Sequence, residues 1–328
     1  MSWNPDPDAF LADLERKPDA LRSLARTVVE HEPWRSVDAS EIARIVYLGM
    51  GSSRYAAVVA ASRLRACRWD AVAEWASATA VHPGGPGTLA VGISASGSSH
   101  ETVAALARHE RAGSTTVALT NRPGSELTAH AALTVDLSAG IEEGGVACRT
   151  FQHTLAQLLA LEAWITHREP EHVARWIESS ADATVDLLDR RDGWLPRAHE
   201  TLTATGRAFL LAPAERICNA EQGALMFREG PRLQADACET GDWTHVDVYL
   251  TKPLDYRALV FTGSDADSEA MRWLHEGGAA VVTVGPPGAG GSDPGVIAVR
   301  HVNDEIPEVS LLTEALVPEL VAAEHWRS

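Results

Sequence analysis

The sequence predicts an α/β protein: two tandem three-layer αβα domains with parallel sheets, preceded by short helices. Three observations carry that prediction. Short apolar runs bounded by Gly, Ser or Pro recur along the chain, as expected of strands buried on both faces of a parallel sheet. Segments with helical apolar spacing separate them. The same alternation then starts again past residue 196, in a chain of 328 residues that is long enough for two cores.

The elements follow in order. Residues 8–31 carry Phe10, Leu11, Leu14, Leu21, Leu24 and Ala25 at helix-compatible positions, interrupted at Pro18, and predict two short helices. A strand at 43–48 runs through Gly49-Met50-Gly51-Ser52-Ser53 into a helix at 54–67, with a strand near 71–74. The run 89–93 is a strand, Ser94 to Ser99 a turn, and Val103, Leu106 and Ala107 mark a helix that Gly113 stops. Strands at 117–119 and 132–137, a loop at 140–150 and a helix at 151–166 complete the first half. The polar stretch 169–197, with Pro170, Pro196 and a helix at 173–188, reads as a connection. Beyond it come a strand at 206–212, a helix at 215–227, a strand at 256–262, a helix at 268–276 and a strand at 279–284. The expected division is a helical segment at 1–40, a first domain at 41–195 and a second at 196–328.

Composition narrows the class. A net charge of −17 argues against a nucleic-acid or anionic-membrane surface, so an anionic ligand needs a local site. Only Lys17 and Lys252 could supply an amine for imine chemistry. Cys67, Cys148, Cys218 and Cys238 are far apart and read as free thiols, and no His/Cys/Asp set has zinc spacing, so neither a metal nor another cofactor is expected. The acidic N-terminus lacks the apolar core of a signal peptide, and the apolar helix near 155–165 is too short to span a bilayer. The expectation is a cytoplasmic protein without a membrane partner.

The turn Ser94-Ala95-Ser96-Gly97-Ser98-Ser99 concentrates the chemistry. Small side chains let backbone N–H groups approach an anion, hydroxyls donate further bonds, and the following helix directs its positive end to the same point. Phosphate fits that description, although an ordinary capped Ser/Gly turn has the same composition. The corresponding turn of the second half, Thr262-Gly263-Ser264-Asp265-Ala266-Asp267, carries two carboxylates that would repel a phosphate. One phosphate site per chain is expected.

The segment from Ile93 to Thr102 resembles the phosphate loop of sugar isomerase (SIS) domains, among them the isomerase half of glucosamine-6-phosphate synthase. The resemblance implies that Ser94, Ser96 and Ser99, with the adjoining Ala95, hold a sugar phosphate, and that Gly51, Ser52 and Ser53 lie against the substrate. It makes Val146, Ala147 and Cys148 sugar-proximal. Cys148 has no fixed base beside it in sequence and reads as a packing residue. The stretch from Asn219 to Glu229, with Ala235 to His245 downstream, keeps register with the family's catalytic segment. Carried over, Glu229 matches the carboxylate that moves a proton between the first two sugar carbons, and His245 the histidine of ring opening. Both roles suit the residue types: a desolvated carboxylate can act as base, and His shuttles protons near neutral pH. Read from chemistry alone, Glu229 is equally a residue at a helix end and His245 one of 13 histidines.

The sequence departs from the family at three points. Met226 stands where the family has its Schiff-base lysine, and Gln222 where it has an acid. The family's C-terminal tail lysine has no counterpart before Ser328. Position 2 is Ser, so no N-terminal cysteine glutaminase is expected. The implied function is a phosphosugar isomerase, or an aminosugar-phosphate deaminase or deglycase, with a sugar phosphate as small-molecule partner. A non-catalytic phosphosugar-binding protein is the alternative. The family's habit of sharing residues across a dimer, and the long apolar helix at 151–165, imply a homodimer.

Overall fold

The computed structural model describes residues 5–287 and 295–328. The reading of the extreme N-terminus as no signal peptide falls partly on 1–4, outside the described residues. The chain groups into two compact units, each built on one five-stranded parallel sheet flanked by helices.

The first-sheet unit comprises Ala20–Ile141 and Arg149–Glu178. Before it the chain forms α1 (Pro7–Glu15) and enters α2 (Lys17–His31), the two short helices broken near Pro18. Then follow β1 (Arg44–Gly49), α3 (Ser52–Ala66), β2 (Asp70–Trp75), β3 (Thr88–Ile93), α4 (His100–Arg111), β4 (Thr115–Thr120), β5 (Leu133–Asp136), α5 (Arg149–Ile165) and the start of α6 (Pro170–Asp189). The strand order is β2-β1-β3-β4-β5, all parallel. Every residue of β3 is buried, which is why it reads as a continuous apolar run. Val46, Leu48 and Ala90 pack with Val103 and Leu106 of α4. Gly92 permits that approach: a methyl group there would stand 3.1 Å from the Leu106 side chain.

The second-sheet unit comprises Met1–Asp19, Glu142–Cys148 and Ser179–Ser328. Its elements are α1, the end of α6, α7 (Arg191–Thr203), β6 (Arg207–Ala212), α8 (Ile217–Glu229), β7 (Gln234–Glu239), α9 (Thr240–Trp243), β8 (Arg257–Phe261), α10 (Asp267–Glu276), β9 (Ala280–Val284), β10 (Ile297–Val299), α11 (Pro307–Thr313) and α12 (Leu316–Arg327). The strand order is β10-β9-β8-β6-β7, again all parallel. One core joins Phe10 and Leu14 of α1 to Leu210, Phe227, Leu259, Leu316 and Leu320. Burying each such side chain contributes roughly 1.5–3 kcal/mol before entropy is counted. A second core lies around Phe209 and Tyr256, whose rings stack at 4.0 Å. The loop from Glu142 to Cys148, read from the sequence as part of the first half, groups with this second sheet.

Candidate functional site

In the first-sheet unit, the chain leaves β1 toward β2 on one side and β3 toward β4 on the other, so the order reverses between β1 and β3. Ligands of open α/β sheets bind at the carboxyl edge of such a switch point. Gly51, Ser52 and Ser53 follow β1 there, and Ser94 to Ser99 follow β3. The structure therefore brings these two predicted turns to the same edge of one sheet.

The two turns are held differently. Gly51 precedes α3 with φ +51°, its carbonyl accepts from the Arg54 N–H at 2.9 Å, and no side chain caps the amides of Ser52 and Ser53. In the second turn, the Gly97 N–H donates to the Ser94 carbonyl at 3.0 Å. Gly97 has φ +63°, and a methyl group there would lie 1.9 Å from the Ser125 hydroxyl. The carbonyl of Ala95 accepts from the Asn121 N–H at 3.1 Å, anchoring the turn to the end of β4. Ser94 is buried, Ser99 half-buried and Ser96 exposed. The Ser98 hydroxyl donates to Ser96 Oγ at 3.0 Å. Ser99 caps α4, accepting from the Thr102 N–H, and donates its hydroxyl to Glu101 Oε2 at 3.2 Å. One positive group at this edge lies outside the motifs named above. Arg54, in the first turn of α3, lays its guanidinium 3.6 Å from the ring centre of Trp75 at the tip of β2. A basic residue directly after the Gly/Ser turn was the signal that could have found it.

The remaining predicted residues belong to the second-sheet unit. Glu229 closes α8, where Gly230 caps the helix by donating its N–H to the Met226 carbonyl. Glu229 is half-buried, and burial raises its carboxyl above the ordinary value against the opposing pull of Arg232 and Arg228. His245 is exposed and follows α9. That short helix is anchored by Trp243, which is fully buried and donates its indole N–H to the Tyr256 hydroxyl at 2.8 Å. The backbone N–H of His245 donates to the Asp242 carbonyl at 2.9 Å.

Val146 and Cys148 are buried in the core of this unit, while Ala147 is half-buried. The Ala147 carbonyl accepts from the Gln222 side-chain amide at 2.8 Å, and the Cys148 N–H donates to Glu142 Oε1 at 2.6 Å. Burial first, and then the Glu142 carboxylate, pushes the Cys148 thiol well above its ordinary value, the opposite of what a nucleophile needs. Met226 is buried among apolar side chains of the same core. Among the described residues, no group of three or more His, Cys, Asp or Glu side chains converges as a metal site, and no helix is long and apolar enough to cross a membrane.

Comparison with known proteins bears on this arrangement. Residues 40–166 match the family model of the SIS domain. The glutamine–fructose-6-phosphate aminotransferase (isomerizing) of Aeropyrum pernix is 27% identical over 288 residues, which cover 81% of this chain and 46% of that protein. This chain thus spans less than half the length of that curated relative. The C-terminal domain of glucosamine-fructose-6-phosphate aminotransferase from Francisella tularensis superposes with a TM-score of 0.83 at 15% identity, covering 97% of this chain and 94% of that one. Glucosamine-6-phosphate deaminase from Thermotoga maritima superposes with a TM-score of 0.74 at 18% identity, covering 97% and 94%. Residues 40–166 thus match the SIS domain, and 97% of the chain shares the fold of these solved structures.

Proposed function

We propose that this chain is an enzyme acting on a sugar or aminosugar phosphate, moving a proton between the first two sugar carbons. The observation that carries the proposal is the convergence of two Gly/Ser turns at the switch point of the first sheet, within the segment that matches the SIS domain. Ser52, Ser94, Ser96 and Ser99 are the proposed phosphate contacts, with backbone amides and the α4 dipole adding to their hydroxyls. Gly51, Ser53 and Ala95 shape those turns, and the 146–148 loop is the proposed sugar contact. Relatives whose names include isomerization and deamination of hexose or hexosamine phosphates support the substrate class.

Glu229 is the proposed base. Aldose–ketose interconversion needs one group to take the proton from the second carbon and return it to the first, and a partly desolvated carboxylate holds a proton more readily than an exposed one. His245 is the proposed partner for ring opening, delivering a proton to the ring oxygen. A homodimer and a cytoplasmic location belong to the same proposal.

The test is incubation with fructose 6-phosphate and with glucosamine 6-phosphate, following both the isomer ratio and ammonia release. Turnover that Glu229→Gln abolishes while sugar-phosphate binding survives supports the assignment. Full turnover by that variant removes it. A binding protein without turnover is the second reading, favoured by Met226 and Gln222 standing where the family resemblance has a lysine and an acid. It predicts saturable binding with neither product.

A further inference from the structure

The proposed reaction leaves one cation at the ligand edge of the first sheet without a task. Arg54 stands in the first turn of α3, directly after Ser52 and Ser53. Its guanidinium lies over the ring of Trp75, which is 55% exposed at the tip of β2. Among the described residues no carboxylate pairs with it, and its Nε is buried without a hydrogen-bond partner. Acids are not scarce in this chain: it carries 45 Asp and Glu against 28 Lys and Arg, and in the same unit Arg44 pairs with Asp70 and Arg63 with Glu162. A buried donor left idle is costly, so its persistence here points to an acceptor that arrives with a ligand.

The direction of the side chain separates it from the phosphate turn. Helical residues step about 100° around the axis, so Arg54 projects from roughly the opposite side of α3 to Ser52, a proposed phosphate contact. Trp75 belongs to β2, which pairs with β1 on the side away from β3. With strands about 4.8 Å apart, the tips of β2 and β3 stand about 10 Å apart, too far for one phosphate to meet both the guanidinium and the Ser94 to Ser99 turn. The indole holds the guanidinium by its face and leaves free the rim of N–H donors, which suits a carboxylate bound through two parallel bonds.

We propose that Arg54, supported by Trp75, is a specificity-determining residue that takes a carboxylate of the ligand: the sugar phosphate selected by this chain carries a second anionic group at the end remote from its phosphate. The inference rests on the proposed phosphosugar site.

The test titrates the full chain calorimetrically with inorganic phosphate, glucitol 6-phosphate and 6-phosphogluconate. The last two share one six-carbon chain, which ends in a hydroxymethyl group or in a carboxylate. Wild type is expected to bind the acid roughly tenfold more tightly than the alcohol, the scale of one charge-assisted hydrogen bond. Arg54→Met should abolish that preference while its affinities for the alcohol and for inorganic phosphate stay within about twofold of wild type. Arg54→Lys, which keeps the charge without the fork, should retain only part of the preference. Thermal midpoints report whether each variant is folded. Trp75→Leu, at an exposed position, leaves Arg54 in place without its support and should also reduce the preference, so it decides the matter should Arg54→Met not fold.

Equal affinity of wild type for acid and alcohol overturns the inference and leaves the phosphosugar reading standing, as does a preference that survives in Arg54→Met. Weaker binding of inorganic phosphate by folded Arg54→Met would assign the guanidinium to the phosphate and overturn the inference as well. A wild-type chain that binds none of the three removes the proposed function and the inference together.

Discussion

The Arg63 guanidinium grips the Glu162 carboxylate with two hydrogen bonds, from Nε at 2.6 Å and from Nη2 at 3.1 Å, joining α3 to α5. Glu162 is buried, and the next cation, Arg168, stands farther off at 3.6 Å. The fork geometry matters because only a planar guanidinium satisfies both carboxylate oxygens at once. Since α3 begins with Ser52 and Ser53, this pair also steadies the helix that carries one of the two turns.

Arg63→Met should therefore lower stability by about 2 kcal/mol, the scale of a charged hydrogen bond lost in a poorly hydrated place. Arg63→Lys should recover only part of that. Urea unfolding at constant slope measures both, and equal midpoints for the two variants would contradict the fork argument.

Gly97 sits at φ +63°, with its Cα facing the Ser125 side chain. Gly97→Ala adds a methyl to a left-handed residue and forces that contact apart, so a loss of about 2 kcal/mol is expected. Pairing it with Ser125→Gly relieves the contact but not the backbone cost. The double variant should recover part of the stability and still bind inorganic phosphate more weakly than wild type, because the Ser94 to Ser99 turn has moved. Calorimetric titration of both variants with phosphate checks this.

Much of this architecture was legible because β1, β3, β4, β6, β8 and β9 are mostly apolar, as strands covered on both faces of a parallel sheet are. The turns after β1 and β3 were legible for a related reason, since small residues at strand tips are compositionally conspicuous. Strand β7 was missed because its sequence from Gln234 to Glu239 alternates polar residues at the edge of the sheet, and β10 because it has only three residues. Helix α7 was hidden by Gly193 and Pro196. The destination of the 142–148 loop could not be read at all. Its partners Asp13 and Gln222 lie 131 and 75 positions from Gly144 and Ala147, and no local pattern reports contacts at such separations.

The cysteines offer a test of burial. Cys148 and Cys218 are fully buried, and burial raises both thiols. Cys238 is half-buried, and burial, with Asp247, Asp242 and Glu239 adding to it, pushes its thiol up to about 12. Cys67 is half-buried at the end of α3. Alkylation of the native chain at mildly alkaline pH should mark Cys67 first, with Cys148 and Cys218 labelled only on unfolding. Peptide mass spectrometry identifies the site, and early labelling of Cys148 would show the 142–148 loop to be open.

Glu229 joins the proposed chemistry to a pH dependence whose sign is fixed by the structure. Burial raises its carboxyl above the ordinary value, and Arg232 and Arg228 offset only part of that. A base works when ionised, so the acidic limb of kcat/KM should lie higher than an exposed glutamate would set it. The same shift acts on stability in the opposite sense to a salt-bridged acid. A raised folded-state value contributes stability that is fully present below the unfolded value and is lost as pH rises through the folded one. At neutral pH the ionised group therefore weighs against folding, and Glu229→Gln removes that burden. The variant should be inactive yet melt at or above the wild-type temperature at pH 7, with the gain disappearing toward pH ~3, where wild-type Glu229 is protonated in both states. Thermal midpoints across that range decide the matter: a gain that grows toward acid would mean that Glu229 is stabilised as a charge, and its candidacy as a partly desolvated base would fall.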